Sequence, residues 1–115
     1  MFTTARRGAK GCEGATSVNF TARFHPDAEA EINEAASFLE LESPGLGKVF
    51  LDDLEHAIEL IVSHPEIAPL IQGRARRKAF RRFPYSLIYS VVGDEIRILA
   101  VSHHRRRPFY WRSRR

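Results

Sequence analysis

Residues 83–102, FPYSLIYSVVGDEIRILAVS, decide how the rest of the chain is read. Tyr85 to Val92 is rich in aromatic and β-branched residues, which suit a pleated, buried surface. Gly93-Asp94 fits a tight two-residue turn, and Ile96, Ile98 and Ala100 alternate beyond it. The spacing predicts a β-hairpin. Just upstream, Arg76 to Phe83 reads as a further strand, strongly basic. Strand alternation would send Arg76, Lys78 and Arg82 to one face and Arg77, Ala79 and Arg81 to the other.

Working back toward the N-terminus, Pro65 to Gly73 reads as a connecting loop. Before it, Leu46, Val49, Phe50, Leu54, Ala57, Ile58 and Ile61 recur at three- and four-residue steps, a helix ending at His64-Pro65. Ser43-Pro44 separates it from an earlier helix. There Pro26 suits the first position, Asp27 and Glu29 favour the positive end, and Ile32, Ala35, Ala36 and Leu39 form one stripe to about Leu41. Val18, Phe20, Ala22 and Phe24 alternate ahead of it as a half-buried strand. The order is therefore strand-helix-helix-strand-strand-strand. The fold class expected is α+β, a two-helix hairpin packed on one face of a four-stranded, largely antiparallel sheet.

A chain of 115 residues with 43% hydrophobic and 28% charged residues fits one domain with its own core. Residues 1–16 carry Gly8, Gly11 and Gly14 and no apolar period, and are expected to be a flexible or weakly docked arm. Residues 17–115 form the domain, ending in a basic tail. Cys12 is the one cysteine, so no intramolecular disulfide and no Cys-based zinc site can form. No apolar run has the roughly 18 residues of a membrane span, and the start lacks a signal-peptide core. The expectation is a cytoplasmic protein with no membrane association.

Charge is sharply segregated. From Asp27 to Glu66 there are eleven acids against Lys48 as the single base. From Leu70 to Arg115 there are thirteen Lys/Arg against Asp94 and Glu95. Such a division creates a directional field that draws a polyanion to one side. Two basic groups stand out: Arg74, Arg76, Arg77, Lys78, Arg81 and Arg82 at the predicted strand, and His103, His104, Arg105, Arg106, Arg107 and Arg112 in the tail. Charged edge strands also discourage aggregation, but Lys alone would serve for that, whereas Arg suits bidentate phosphate or carboxylate contact. Tyr110 and Trp111 could stack on unpaired bases. A histidine of the tail, such as His103, is the residue type that could serve as a general base.

Other chemistries find little support. His25, His56 and His64 lack partners at metal-ligand spacing, and no phosphate loop or nucleophile elbow occurs, so neither a metal nor another cofactor is expected. The helix acids fall at scattered positions read as solvent-facing, which argues against a paired-carboxylate hydrolase.

Three segments carry a resemblance: VNFTARFHPDAEAEINEAASFLE (18–40), GLGKVFLDDLEHAIELIVSHPEIAP (45–69) and RRKAFRRFPYSLIYSVVGDEIRILAVSHHRRRPFYW (76–111). Together they resemble RelE/ParE-type toxins of bacterial type II toxin–antitoxin modules, including those called plasmid stabilisation proteins. The most specific parts are FPYSLIYSV and AVSHHRRRP. The resemblance implies a toxin held by a small cognate antitoxin, here expected to be acidic and to fold on binding. RelE-like members cut messenger RNA at the ribosome without a metal; ParE-like members inhibit DNA gyrase by binding and are not enzymes. On the RelE-like reading, taken here as the leading one, the catalytic set would be Lys78, Arg81, His103, Arg105 and Tyr110. Arg76, Arg77, Arg82, His104, Arg106, Arg107, Trp111 and Arg112 would bind nucleic acid. One departure stands out: Ser86 follows Tyr85 where a RelE-like chain would carry a third-strand Arg. A generic basic nucleic-acid-binding module is the remaining alternative.

Overall fold

The computed structural model describes residues 3–7 and 20–114. Cys12, and all of the expected arm at 1–16 except Thr3–Arg7, lie outside the described residues. The elements are β1 (Thr3–Arg7), β2 (Thr21–Phe24), α1 (Pro26–Glu42), α2 (Leu46–Ser63), β3 (Leu70–Gln72), β4 (Ala75–Ala79), β5 (Tyr85–Val92) and β6 (Glu95–His103). The sheet order is β1-β2-β6-β5-β4-β3. All pairings are antiparallel except β2 with β6, which is parallel. The α+β class and the helix hairpin stand as expected, and the four-stranded sheet becomes a six-stranded mixed one. No described helix is long and apolar enough to cross a membrane.

The two extra strands are edge elements. β3 arises inside the stretch expected as a loop, because Gly73, at φ +56, lets the chain fold back onto β4. Three residues between Pro69 and Gly73 leave no alternation to detect. β1 pairs with β2 through an irregular register, and backbone pairing at an edge demands no apolar pattern.

The helices form as their patterns dictate. Asp27 N–H donates to His25 Nδ1 at 3.1 Å ahead of Pro26, capping α1. Near the other end of α1, the Glu40 carboxylate accepts from Gly45 N–H (2.9 Å) and Gly47 N–H (3.0 Å) at the start of α2. Those two bonds hold the Glu40 carboxyl below its usual range. Gly47 also permits the tight hairpin: a Cβ there would lie 2.8 Å from the Ala36 carbonyl oxygen.

The main core lies between the helices and one sheet face, with Phe50, Ile61, Leu87, Tyr89, Ile96 and Ile98 fully buried. Phe50 stacks on Phe80 (5.3 Å between centroids) and meets Phe83 and Tyr85 edge-on. This aromatic cluster explains why the basic strand ends at Ala79 rather than Phe83. Phe80 and Phe83 both turn inward, and the chain bends through Arg81–Pro84. Asp53 of α2 secures the bend, accepting from Arg82 N–H at 3.0 Å with Arg81 Nε 3.8 Å away. Arg81 and Arg82 thus leave the strand faces that alternation gave them. Asp53 is only 4% exposed, so the helix acids are not all solvent-facing.

Alternation also breaks within β6. Ile88 pairs with Ala100 but Tyr89 pairs with Ile98, leaving Leu99 as a bulge residue. Ile98 and Val101 therefore both face the helices, whereas Leu99 and Ala100 join a second cluster on the opposite side. Ala100, expected on the face of Ile96 and Ile98, is on the other one.

Candidate functional site

The face of the sheet away from the helices is covered by the chain's own tail. After β6 the tail turns back, and Trp111, 5% exposed, packs with Ala75, Ile88, Leu99 and Ala100. Phe109, at φ +59, is the only non-glycine residue at positive φ among the described residues, and its ring meets Trp111 edge-on at 5.8 Å. A bulky side chain in that conformation is strained, which marks a place where position matters more than local comfort.

Glu31 of α1 holds the tail down. Its Oε2 accepts from Tyr110 OH at 2.7 Å, and both its oxygens accept from the Arg114 guanidinium at 3.1 Å. β2 stops pairing with β6 at Ile98, whose carbonyl accepts from His25 N–H. Beyond that point Val101 N–H donates to Glu31 (3.0 Å), and Leu99 C=O accepts from Arg114 (2.9 Å). The two side chains supply hydrogen bonds that a longer β2 would have made, as buried backbone groups require. Burial, then the bond to Glu31, pushes the Tyr110 hydroxyl up from 10.0 to about 12. Burial works to lower the Arg114 guanidinium, but the Glu31 bond and charge outweigh it and the net shift is upward. Arg106 lies over the Tyr110 ring at 3.9 Å and 3.6 Å from Glu31.

Between tail and sheet lies a cavity of about 180 Å³, lined by Ile71, Arg77, Ser86, Ile88, Ser102, His103, His104, Arg106, Arg107, Pro108, Phe109 and Trp111. Ser86, 1% exposed, sits in its wall. Its Oγ accepts from Arg77 Nε at 3.1 Å and lies 3.0 Å from His104 Nε2. Across Trp111 a second cavity of about 430 Å³ includes Arg74, Arg97 and Arg112 in its lining. The basic character of this face is continuous.

The residues singled out from sequence scatter over several sites. Lys78 pairs in register with Leu87, on the helix side of β4, with Nζ donating to the Ala79 carbonyl at 3.3 Å. Arg81 and Arg82 are at the Asp53 corner. Arg76 donates to the carbonyls of Ala68 (2.7 Å) and Glu66 (3.4 Å), buttressing the loop after α2. His103 ends β6 with its ring edge-on to Tyr85, and its Nδ1 accepts from Arg105 N–H at 3.0 Å. It walls both the 180 Å³ cavity and a neighbouring one of about 170 Å³ beside α1; Lys78, Arg81, Arg105 and Tyr110 line neither. The structure brings together Arg77, His104, Arg106, Arg107 and Trp111 instead. Sequence reasoning missed Ser86 as their hub and Glu31 as their support. The signal for Glu31 was present: positions 28, 31 and 35 fall on one stripe of α1, and Ala28 and Ala35 are buried.

A basic sheet face, roofed by its own tail and opposite an acidic helix hairpin, defines a small α+β protein with its charge divided between two sides. Over residues 22–108 the sequence matches the family described as "ParE toxin of type II toxin-antitoxin system, parDE", and the chain belongs to that family. The superfamily resemblance seen in the sequence thus holds. Among solved structures the fold is similar to a chain described as "Chromosomal ParDE TA system from P. aeruginosa", with TM-score 0.62 and 18% identity over 70% of this chain and 90% of that one. No curated protein matches.

Proposed function

We propose that the chain is the toxin of a type II pair, inhibiting DNA gyrase by binding through its basic sheet face and held in check by a cognate acidic antitoxin. The observation that carries this reading is the dispersal of the RelE-like set. Tyr110 has its hydroxyl committed to Glu31, Lys78 and Arg81 sit on the helix side of the sheet, and Ser86 stands where a third-strand Arg would activate a phosphate. Metal-free RNA cleavage needs an acid, a base and cations converging on one phosphate. Family membership supports the same choice.

The aromatic rings favour it too. Base stacking needs open ring faces. Trp111 is buried, the Tyr110 ring lies under Arg106, and Tyr85 packs between Phe50 and His103. The test is a pair of assays: gyrase supercoiling with the purified chain, and primer extension on messages from cells arrested by its expression. Inhibited supercoiling with intact messages is expected. New 5′ ends within reading frames, with supercoiling untouched, would return the chain to the RelE-like reading and its ribosomal target.

A further inference from the structure

We propose that the cavity centred on Ser86 is the seat of a single acidic side chain, an aspartate or glutamate, presented by a protein partner. The inference deepens the reading above and rests on it, because it assumes that the open face meets protein rather than RNA.

The lining carries the argument. Among the described residues no carboxylate borders the cavity, while Arg77, Arg107 and His104 all do. The ion pairs of the tail, Arg106 and Arg114 with Glu31, leave Arg77 and Arg107 without a carboxylate within 4 Å among the described residues. Ser86 fixes the geometry: with its Oγ accepting from Arg77 Nε, the guanidinium is held by one edge against the wall. A guanidinium oriented in that way is prepared for a forked, charge-assisted contact to a carboxylate.

Size and shape favour a side chain over a nucleic-acid strand. About 180 Å³ between the sheet and the tail admits one residue's functional group, whereas a phosphodiester chain needs a groove open at both ends. Beside the cationic wall are Ile88 and Ile71, an apolar surface suited to the methylenes of an acidic residue or to an apolar neighbour. Phe109 at the rim, 37% exposed and strained at φ +59, offers one more apolar contact.

The experiment uses the full chain and two capped tripeptides, acetyl-Leu-Asp-Leu-amide and its Asn counterpart, with a uridine tetranucleotide as competitor. Binding is followed by the NMR signals of the His104 ring and the Trp111 indole. The Asp peptide should shift both saturably in the millimolar range, and the Asn peptide should bind at least about tenfold more weakly. Arg77→Met should weaken the Asp peptide by a similar factor. Arg107→Gln, at an exposed rim position, should weaken it by a smaller factor without disturbing the Ser86 contacts, which guards against misfolding of the first variant. Equal binding of the two peptides, no shift at about 10 mM, or displacement by stoichiometric tetranucleotide would overturn the proposal. Gyrase inhibition is read separately on the same samples. Asp-selective binding without inhibition sustains this inference and removes the gyrase reading, and inhibition without Asp-selective binding does the reverse.

Discussion

The two faces of the sheet are closed in different ways. Among the described residues, eighteen on the helix side form one buried cluster, and the cover is a hairpin of two helices. On the tail side the cluster has five buried residues, and the cover is eleven residues of irregular chain fastened by a polar network at Glu31. The first face is held by apolar area, which is non-directional and large; the second is held by geometry. Segments with little apolar cover open at lower free energy and are where binding surfaces concentrate. The helix side carries the larger share of the buried core, and the tail side is the face proposed for recognition.

Truncation of each cover's anchor should break the symmetry between them most visibly. Phe50→Ala empties the centre of the aromatic cluster and should cost about 3–5 kcal/mol, read as a shift of the whole unfolding transition in urea. Trp111→Ala should cost less, about 1.5–3 kcal/mol, because the tail can peel away while the helix side stays folded. Amide exchange should then quicken in residues 104–114 and leave α2 unchanged. Uniform exchange in both regions would mean the two faces unfold as one.

Glu31→Ala tests the fastening itself. It strands Val101 N–H and removes the partner of Arg114, and should cost about 1–3 kcal/mol by thermal melting. Trypsin should then cut after Arg105 and Arg106 far sooner than in the parent chain. Tyr110→Phe removes one bond of the network and should cost about 1 kcal/mol. Under the binding account it leaves toxicity intact, because the hydroxyl serves Glu31 and not a substrate. Folded chain keeps Tyr110 protonated from 10.0 up to about 12, so its contribution is complete below pH 10 and is lost as pH rises through that window. The stability gap between parent chain and variant should therefore narrow as pH rises from 10 to about 12, read by urea unfolding at each pH.

The smallest effect falls on the helix side. Glu40 has its carboxyl lowered by the Gly45 and Gly47 bonds. Its contribution is therefore present above the ordinary value of 4.5 and lost as pH falls through the lowered one. Glu40→Gln should flatten the acid limb of melting temperature against pH and change little near neutrality.

The same contrast explains what could be read from sequence. The helix side was legible because a helix and its stripe are local: Phe50, Leu54, Ala57, Ile58 and Ile61 announce both the element and its buried face. The tail side was not, because its structure depends on pairings far apart in the chain. The Leu99 bulge is a matter of register with β5, and nothing in ILAVS distinguishes it from plain alternation. Glu31 lies 70 residues from Val101 and 83 from Arg114, and among so many acids only its place on the buried stripe sets it apart. Ser86 was read as a missing Arg, since a serine's role depends on which groups face it. Alternation separated Arg76 and Lys78 from Arg77 as the structure has them, but the places of Arg81 and Arg82 needed the bend that Asp53 holds.

The most direct measurement compares cations on the two sides in one assay. Supercoiling by purified gyrase is titrated with the parent chain, with Arg77→Met and Arg107→Gln combined on the open face, and with Lys78→Met and Arg81→Met combined on the helix side. Folded content is matched by circular dichroism. The account predicts that the open-face pair raises the half-inhibitory concentration at least about tenfold, as loss of charge-assisted contacts requires, while the helix-side pair leaves it within about twofold. Loss of inhibition in the helix-side pair, with the open-face pair unaffected, would contradict it.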